Sequence, residues 1–380
     1  MYKKIKPAQL FDGYQLFEEK VLVLTERGTI VDIVDPADAG EDVEVLEGIL
    51  SPGFINSHCH LELSHMKGII EEHTGLLRFV NQIVSKRYAD PEAIPAAIER
   101  AEAEMIRNGI VAVGDICNTT DTLFQKEKGH LYYHNFVEVI GFEPAQAQQH
   151  FDTYKVVYDA YCERFHPRQV SLTPHAPYSV STPLLKLLAT FPGNQLLSIH
   201  NQETEDENEW FLNSTGGFKA LYERLQLKEV PVAPEGKSSI QTYSPYLPEG
   251  QQLLFIHNVF TTAADIRYAL DRFPDACWCL CPNANYYITN RLPDIPMFQK
   301  EGVPLVLGTD SLASNYSLSI WEEILRIQKH YPQIPLEQML SWATINGARA
   351  LQIGERYGSF EKGKKPGVIQ ILNDTINRLY

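Results

Sequence analysis

Six side chains able to bind a metal or move a proton fall at the ends of short apolar runs. His58 and His60 close the run at 52–58, and His175 follows 170–174. His200 ends 195–200, His257 ends 253–257, and Asp310 follows 304–309. On a β-strand, residues i and i+2 face the same side. His58 and His60 can therefore grip one ion while Cys59 points away. His200 can complete the set. Glu203, three residues further on, is placed to face a substrate and shuttle a proton. Asp310 can bind the ion, accept a proton from its water, or do both.

Blander readings compete with these. An aspartate in Gly308-Thr-Asp-Ser311 could simply cap a helix. Glu205, Asp206, Glu207 and Glu209 read mostly as a solvated acidic face, an explanation not extended to Glu203. His130, His150, His166 and His330 are scattered and receive no role. The series Cys277-x-Cys279-x-Cys281 lacks Cys-x-x-Cys spacing and reads as strand core. Three imidazoles and a carboxylate leave a position open for water, which suits one catalytic zinc ion, with iron or manganese also compatible. Such an ion lowers the pKa of its water toward about 7.

Positioning these residues takes a repeated strand-then-helix pattern. Eight strand candidates lie at 52–58, 110–116, 134–140, 170–174, 195–200, 253–257, 277–281 and 304–309. Helical patterns between them include 91–108, 183–190, 218–225, 262–273 and 320–330. Thr182 is the expected N-cap of the second, with Pro183 at the first helical position. Eight such units in series predict a TIM-like (β/α)8 barrel, whose active site gathers at the C-terminal strand ends. The stretch 230–250 is Pro/Ser-rich and reads as a long loop. A last helix is expected over 336–351. Residues 1–50 carry strand signals at 14–17, 20–25, 29–34 and 43–49, and another strand follows at 368–372. Both ends are expected to build one small β domain, 1–51 with 355–380, around a barrel at 52–354.

Composition narrows the class. The chain has 380 residues, a net charge of −15, and 33 Lys and Arg against 48 Asp and Glu. An acidic surface repels phosphate backbones, so nucleic acid is not an expected partner. Six cysteines in strand-like or helix-like contexts read as reduced thiols. The N-terminus lacks an apolar signal region and no apolar run is long enough to span a membrane, so the expectation is cytoplasmic, with no membrane partner.

The motifs together resemble the amidohydrolase superfamily, in particular its cytosine deaminase-like and chlorohydrolase-like branch. The resemblance runs from Ser51-Pro-Gly-Phe-Ile-Asn-Ser-His-Cys-His-Leu61 through Thr173-Pro-His-Ala-Pro-Tyr-Ser179 and His200-Asn-Gln-Glu-Thr204. It continues to Gly308-Thr-Asp-Ser-Leu-Ala-Ser-Asn315 and closes with Gly358-Ser-Phe-Glu-Lys-Gly-Lys364. It implies a distorted barrel with a β-sandwich built from both termini, and a homodimer. It implies His58, His60, His200 and Asp310 as metal ligands and Glu203 as the acid/base. His257 matches the residue that orients and helps activate the water, and His175 a substrate contact. Members that use two ions typically bridge them with a lysine ending the fourth strand. That lysine is absent here, which implies one ion. The loop after the first strand, with Glu62, His65, His73 and Arg78, is expected to cover the pocket, Glu62 and Arg78 as substrate contacts.

The implied reaction is deamination of an aminated heterocycle, a purine-like base or nucleoside derivative. His60-Leu-Glu-Leu-Ser64 resembles aminodeoxyfutalosine deaminases. Hydrolysis of a cyclic amide or a ring carbon–chlorine bond uses the same site. Departures at Phe255-Ile-His-Asn-Val-Phe260, at Asn201-Gln202 and at Pro366-Gly-Val368 leave the substrate open. A barrel that only binds or scaffolds should have lost a metal position, and none is lost.

Overall fold

The structure is a computed structural model and describes residues 2–88 and 90–380. Met1 and Ala89, which fall in the expected terminal unit and covering loop, lie outside the described residues. Among the described residues fifteen strands are present. β1 (Tyr2–Phe11), β2 (Leu16–Glu18), β3 (Val21–Thr25), β4 (Ile30–Val34) and β5 (Glu44–Pro52) come first. β6 (Phe54–Cys59), β7 (Ile110–Cys117), β8 (Tyr132–Val139) and β9 (Val170–Pro174) follow. Then come β10 (Leu196–Asn201), β11 (Gln252–His257), β12 (Cys277–Leu280) and β13 (Leu305–Leu307). β14 (Val368–Leu372) and β15 (Thr375–Arg378) end the chain.

Two four-stranded parallel sheets, β6 to β9 and β10 to β13, each run in sequence order. They meet at both ends. Cys59 and Asp310 form a parallel bridge between the first and last strand ends. The His200 amide donates to the His175 carbonyl at 2.9 Å across the other junction. Alternation along the strands sorts their residues. Leu253 and Phe255 of β11 pack in the large cluster that includes the surrounding helices. Leu254 and Ile256 join a second cluster shared by both sheets, with Ile55, Phe136, Cys279 and Val306.

Both termini build a third sheet of seven strands, in the order β15-β14-β5-β1-β3-β4 with β2 on β1. Its central strand, β1, was not anticipated. Lys3, Lys4, Lys6 and Pro7 hide the alternation there, and Pro7 is tolerated beside a register shift between Pro7 and Gln9. Three further expectations need correction. In the helix Thr182–Thr190 the N-cap position is Ser181, which makes no side-chain capping bond, and Thr182 is the first helical residue. The stretch at 230–250 holds a helix, Ser239–Tyr243, and a 3-10 turn, Ser244–Tyr246. The last helix is interrupted by a π segment at Trp342–Asn346. Among the described residues, no helix is long and apolar enough to cross a membrane.

Candidate metal centre

The strand ends bring the expected ligands together. β6 carries a register shift between Asn56 and Cys59. That shift fits the sorting of its side chains: Cys59 joins the helix-side cluster, while the rings of His58 and His60 meet nearly perpendicular, at 82°, with their Nε2 atoms 3.2 Å apart. Asp310 Oδ1 lies 3.3 Å from His60 Nε2 and 3.6 Å from His58 Nε2. Donor atoms of His58, His200, His257 and Asp310 all lie within 4.8 Å of one another. His60 stands at the edge of that quartet, close to His58 and Asp310, its ring centroid 5.4 Å from that of His200.

This donor set fits a divalent ion. Ligand atoms about 2.0–2.1 Å from a tetrahedral centre stand roughly 3.3 Å apart, which the His58, His60 and Asp310 spacings match. Burial drives the His58 pKa down to about 3, against the hydrogen bond to Asp310, so the ring is neutral as a ligand must be. Asp310 is held below the usual carboxylate range: burial opposes its charge, but the neighbouring histidines outweigh it.

The backbone is bent to make this convergence. Gln202, His257, Asn258 and Asp310 have φ of 46°, 73°, 61° and 56°. Left-handed conformation in such residues costs about 1–3 kcal/mol each and clusters at functional sites. Asp310 is pinned further. Its amide and that of Thr309 both donate to the His58 carbonyl, at 3.1 and 3.0 Å. Ser314 Oγ donates to Asp310 Oδ2 at 2.5 Å. Asn56 and Thr309 exchange two hydrogen bonds across the first and last strands. Gly308 lets the strands approach, since a Cβ there would meet His58 Cβ at 2.8 Å and Cys279 Sγ at 2.9 Å.

Glu203 is buried, with Oε1 3.6 Å from His257 Nε2. Burial pushes its carboxyl up to about 8, lowered by His200 and raised again by Asp310. Asn285 Nδ2 lies 2.9 Å from His257 Nδ1 and fixes that ring from behind. His175 sits beside the cluster, its ring 4.8 Å from that of His200, its Nδ1 2.5 Å from Ser179 Oγ.

Glu62 and Arg78 do not have the surroundings expected of substrate contacts. Glu62 is buried, and its carboxylate takes Arg87 at 2.6 Å and the backbone amides of Asn118 and Thr119 at 3.1 Å. It ties the first covering loop to the loop after β7. Arg78 is exposed and pairs with Glu71 at 3.2 Å. The loop itself folds as a 3-10 turn, Leu61–Met66, and a helix, Leu76–Lys86. His65 Nε2 meets the Arg87 carbonyl oxygen at 2.7 Å, and His73 lies 3.7 Å from Glu72.

Three residues, Glu138, Lys126 and Asp115, escaped the sequence reading, and Glu207 was read there as part of a mostly solvated face. Glu138 ends β8 and is buried, with Oε1 3.3 Å from His200 Nδ1. The same His200 nitrogen lies 3.0 Å from the His175 carbonyl oxygen. A proton on Nδ1 satisfies both oxygens and turns Nε2 toward the centre. Burial disfavours the His200 charge, but the bond to Glu138 outweighs it and raises the pKa to about 9. Glu138, His175 and His200 form a second close group, yet the His200 nitrogen facing it is already spent on these bonds. Glu207 is buried as well. It accepts from the amides of Gln202 and Glu203 and from Ser239 Oγ, holding the turn that carries Glu203. Lys126 and Asp115 form a fully buried ion pair at 2.6 Å, and Asp115 Oδ1 accepts from the Leu61 amide at 2.8 Å, beside His60. Only position could have flagged Glu138, the single carboxylate near the end of a third strand otherwise apolar at that end.

Residues 49–376 match the sequence profile of the amidohydrolase family. An adenosine deaminase of Helicobacter pylori is 26% identical over 326 residues, covering 83% of this chain and 77% of that one. A crystal structure of Helicobacter pylori aminofutalosine deaminase in complex with methylthio-coformycin superimposes with a TM-score of 0.81 at 23% identity, over 97% of this chain and 91% of that one. An adenosine deaminase of Xanthomonas campestris with bound zinc gives 0.72 at 22% identity, over 97% and 84%.

Proposed function

The chain belongs to the amidohydrolase family, and from that premise we propose that it is a mononuclear metal-dependent aminohydrolase of a purine-like base or nucleoside derivative. The observation that carries this is the approach of Glu203 to within 3.6 Å of His257 beside the His58, His60 and Asp310 donors. The adenosine deaminase and aminofutalosine deaminase relatives support an aminated nucleoside as substrate. The zinc-containing relative supports zinc.

His58, His60, His200 and Asp310 would hold the ion, which supplies hydroxide at neutral pH. Glu203 carries a proton into the site and donates it to the ring nitrogen beside the amino-bearing carbon. Asp310 and His257 take the proton from the attacking water as the carbon–oxygen bond forms. That proton passes to the amino group, the carbon–nitrogen bond breaks, and ammonia leaves; the second proton of the water is released as the carbonyl forms and returns to Glu203. His175 holds the substrate from the β9 side. The eight parallel strands are read as a closed barrel at 52–354. The seven-stranded terminal sheet is read as the β-sandwich unit, 1–51 with 355–380.

Ammonia release from the zinc-loaded protein with adenosine, deoxyadenosine derivatives, guanine and aminated pterins tests the reaction. Release from an aminated purine nucleoside is expected. No release from any of them would refute deamination.

A further inference from the structure

A second concavity lies at the opposite ends of the same strands. Its volume is about 620 Å³, within the roughly 300–1,000 Å³ of small-molecule sites. Val111 and Tyr132, at the starts of β7 and β8, form one wall, and the turn between β3 and β4 and the C-terminal residues form the other. The candidate metal and catalytic residues lie at or just past the C-terminal ends of β6, β10, β11 and β13, so the two sites sit apart.

Six cations line it; Lys126 and Arg164 are paired with Asp115 and Glu127, which leaves four from separate parts of the chain: Arg27, Arg356, Lys365 and Arg378. Among the described residues, none of the four has a side-chain carboxylate within 4.0 Å, and Arg378 alone lies beside the terminal oxygen of Tyr380, the last residue. Glu26 and Glu127 also face the space, and Glu127 is paired with Arg164 at 3.2 Å. The chain as a whole carries −15, so a cluster of cations without side-chain carboxylate partners in one concavity runs against its average. Like charges repel unless an anion joins them. Arg378 is oriented by the chain itself, with Nε donating to a terminal oxygen of Tyr380, the last residue, and one terminal nitrogen donating to the carbonyl oxygen of Ile110, both at 3.3 Å. Aromatic surface is present too. The rings of Tyr132 and Tyr357 stand 5.9 Å apart, and Arg356 lies over Tyr357 at 5.1 Å.

We propose that this concavity binds a nucleoside phosphate, its phosphate on the arginines and Lys365 and its base against the tyrosines. Guanidinium groups bind phosphate through paired N–H donors, and aromatic faces take a planar base. The site is independent of the metal centre and of the reaction assigned to it.

Calorimetric titration of the metal-loaded chain at physiological salt tests this with uridine 5'-monophosphate, which lacks an amino group to lose, and with inorganic phosphate. The nucleotide is expected to saturate one site, with phosphate alone at least about tenfold weaker. The exposed double variant R356E/R378E should weaken the nucleotide by at least about tenfold, while metal content and ammonia release stay at their original level. Should that variant misfold by circular dichroism, the single variant K365E carries the same expectation of weakened binding. Three results would overturn the proposal: no saturable nucleotide binding, equal binding of phosphate and nucleotide, or affinity unchanged by charge reversal.

Discussion

Gly308→Ala is a single-methyl probe of the centre's geometry. The added Cβ would lie 2.8 Å from His58 Cβ and 2.9 Å from the His58 carbonyl oxygen and Cys279 Sγ. Ordinary contact begins at 3.4 Å, so the strands must part by about 0.6 Å in a core that is packed to crystal density. His58 cannot escape by rotating its ring, because its backbone is part of the clash and accepts from Thr309 and Asp310. Metal–ligand distances tolerate only about 0.2 Å. Overpacking of this kind costs about 1–3 kcal/mol. Metal affinity should fall at least as far as when supporting contacts are lost, about 10–100-fold. The assay is competition with a chelator, read beside thermal unfolding. Gly354→Ala is the control, since a Cβ there meets only Arg349 Cγ at 3.8 Å. If Gly308→Ala keeps the original metal affinity and activity, the strand contact does not position His58 and the reasoning fails.

Other substitutions separate the roles. Glu138→Gln should lower metal affinity about 10–100-fold by loosening His200, with the fold intact, as chelator competition would show. Glu203→Gln should lower kcat about 10²–10⁴-fold while the metal stays bound, checked by ammonia release and elemental analysis. Lys126→Met leaves Asp115 buried without its partner and should cost about 3–5 kcal/mol in denaturant unfolding. Arg78→Ala should leave kcat/KM near its original value, because the guanidinium faces solvent and Glu71; a large loss would restore it to the substrate.

The convergence of the candidate ligands was legible because His58 and His60 follow a period of two, and β-then-α alternation says which strand ends share a face. His58, His60, His200, His257 and Asp310 all meet as that logic requires. What stayed hidden has physical reasons. Glu138 and Glu207 look like ordinary surface carboxylates until tertiary contacts bury them against His200 and the Glu203 turn. Arg78 looked like a pocket residue because its loop follows the metal motif, yet the helix Leu76–Lys86 turns it to solvent. β1 is masked by lysines whose strand neighbours, Ile5, Leu10 and Phe11, carry the burial. The π segment at Trp342–Asn346 buries Trp342, Ala343, Thr344 and Ile345 in one unbroken run, so no amphipathic period marks it in the sequence.

The most direct test of the central claim is elemental analysis of the purified native chain alongside His200→Ala. About one equivalent of a divalent metal per chain is expected, retained on dialysis and lost in the variant while the fold persists. A well-folded native chain that holds no metal yet releases ammonia from an aminated nucleoside would contradict it.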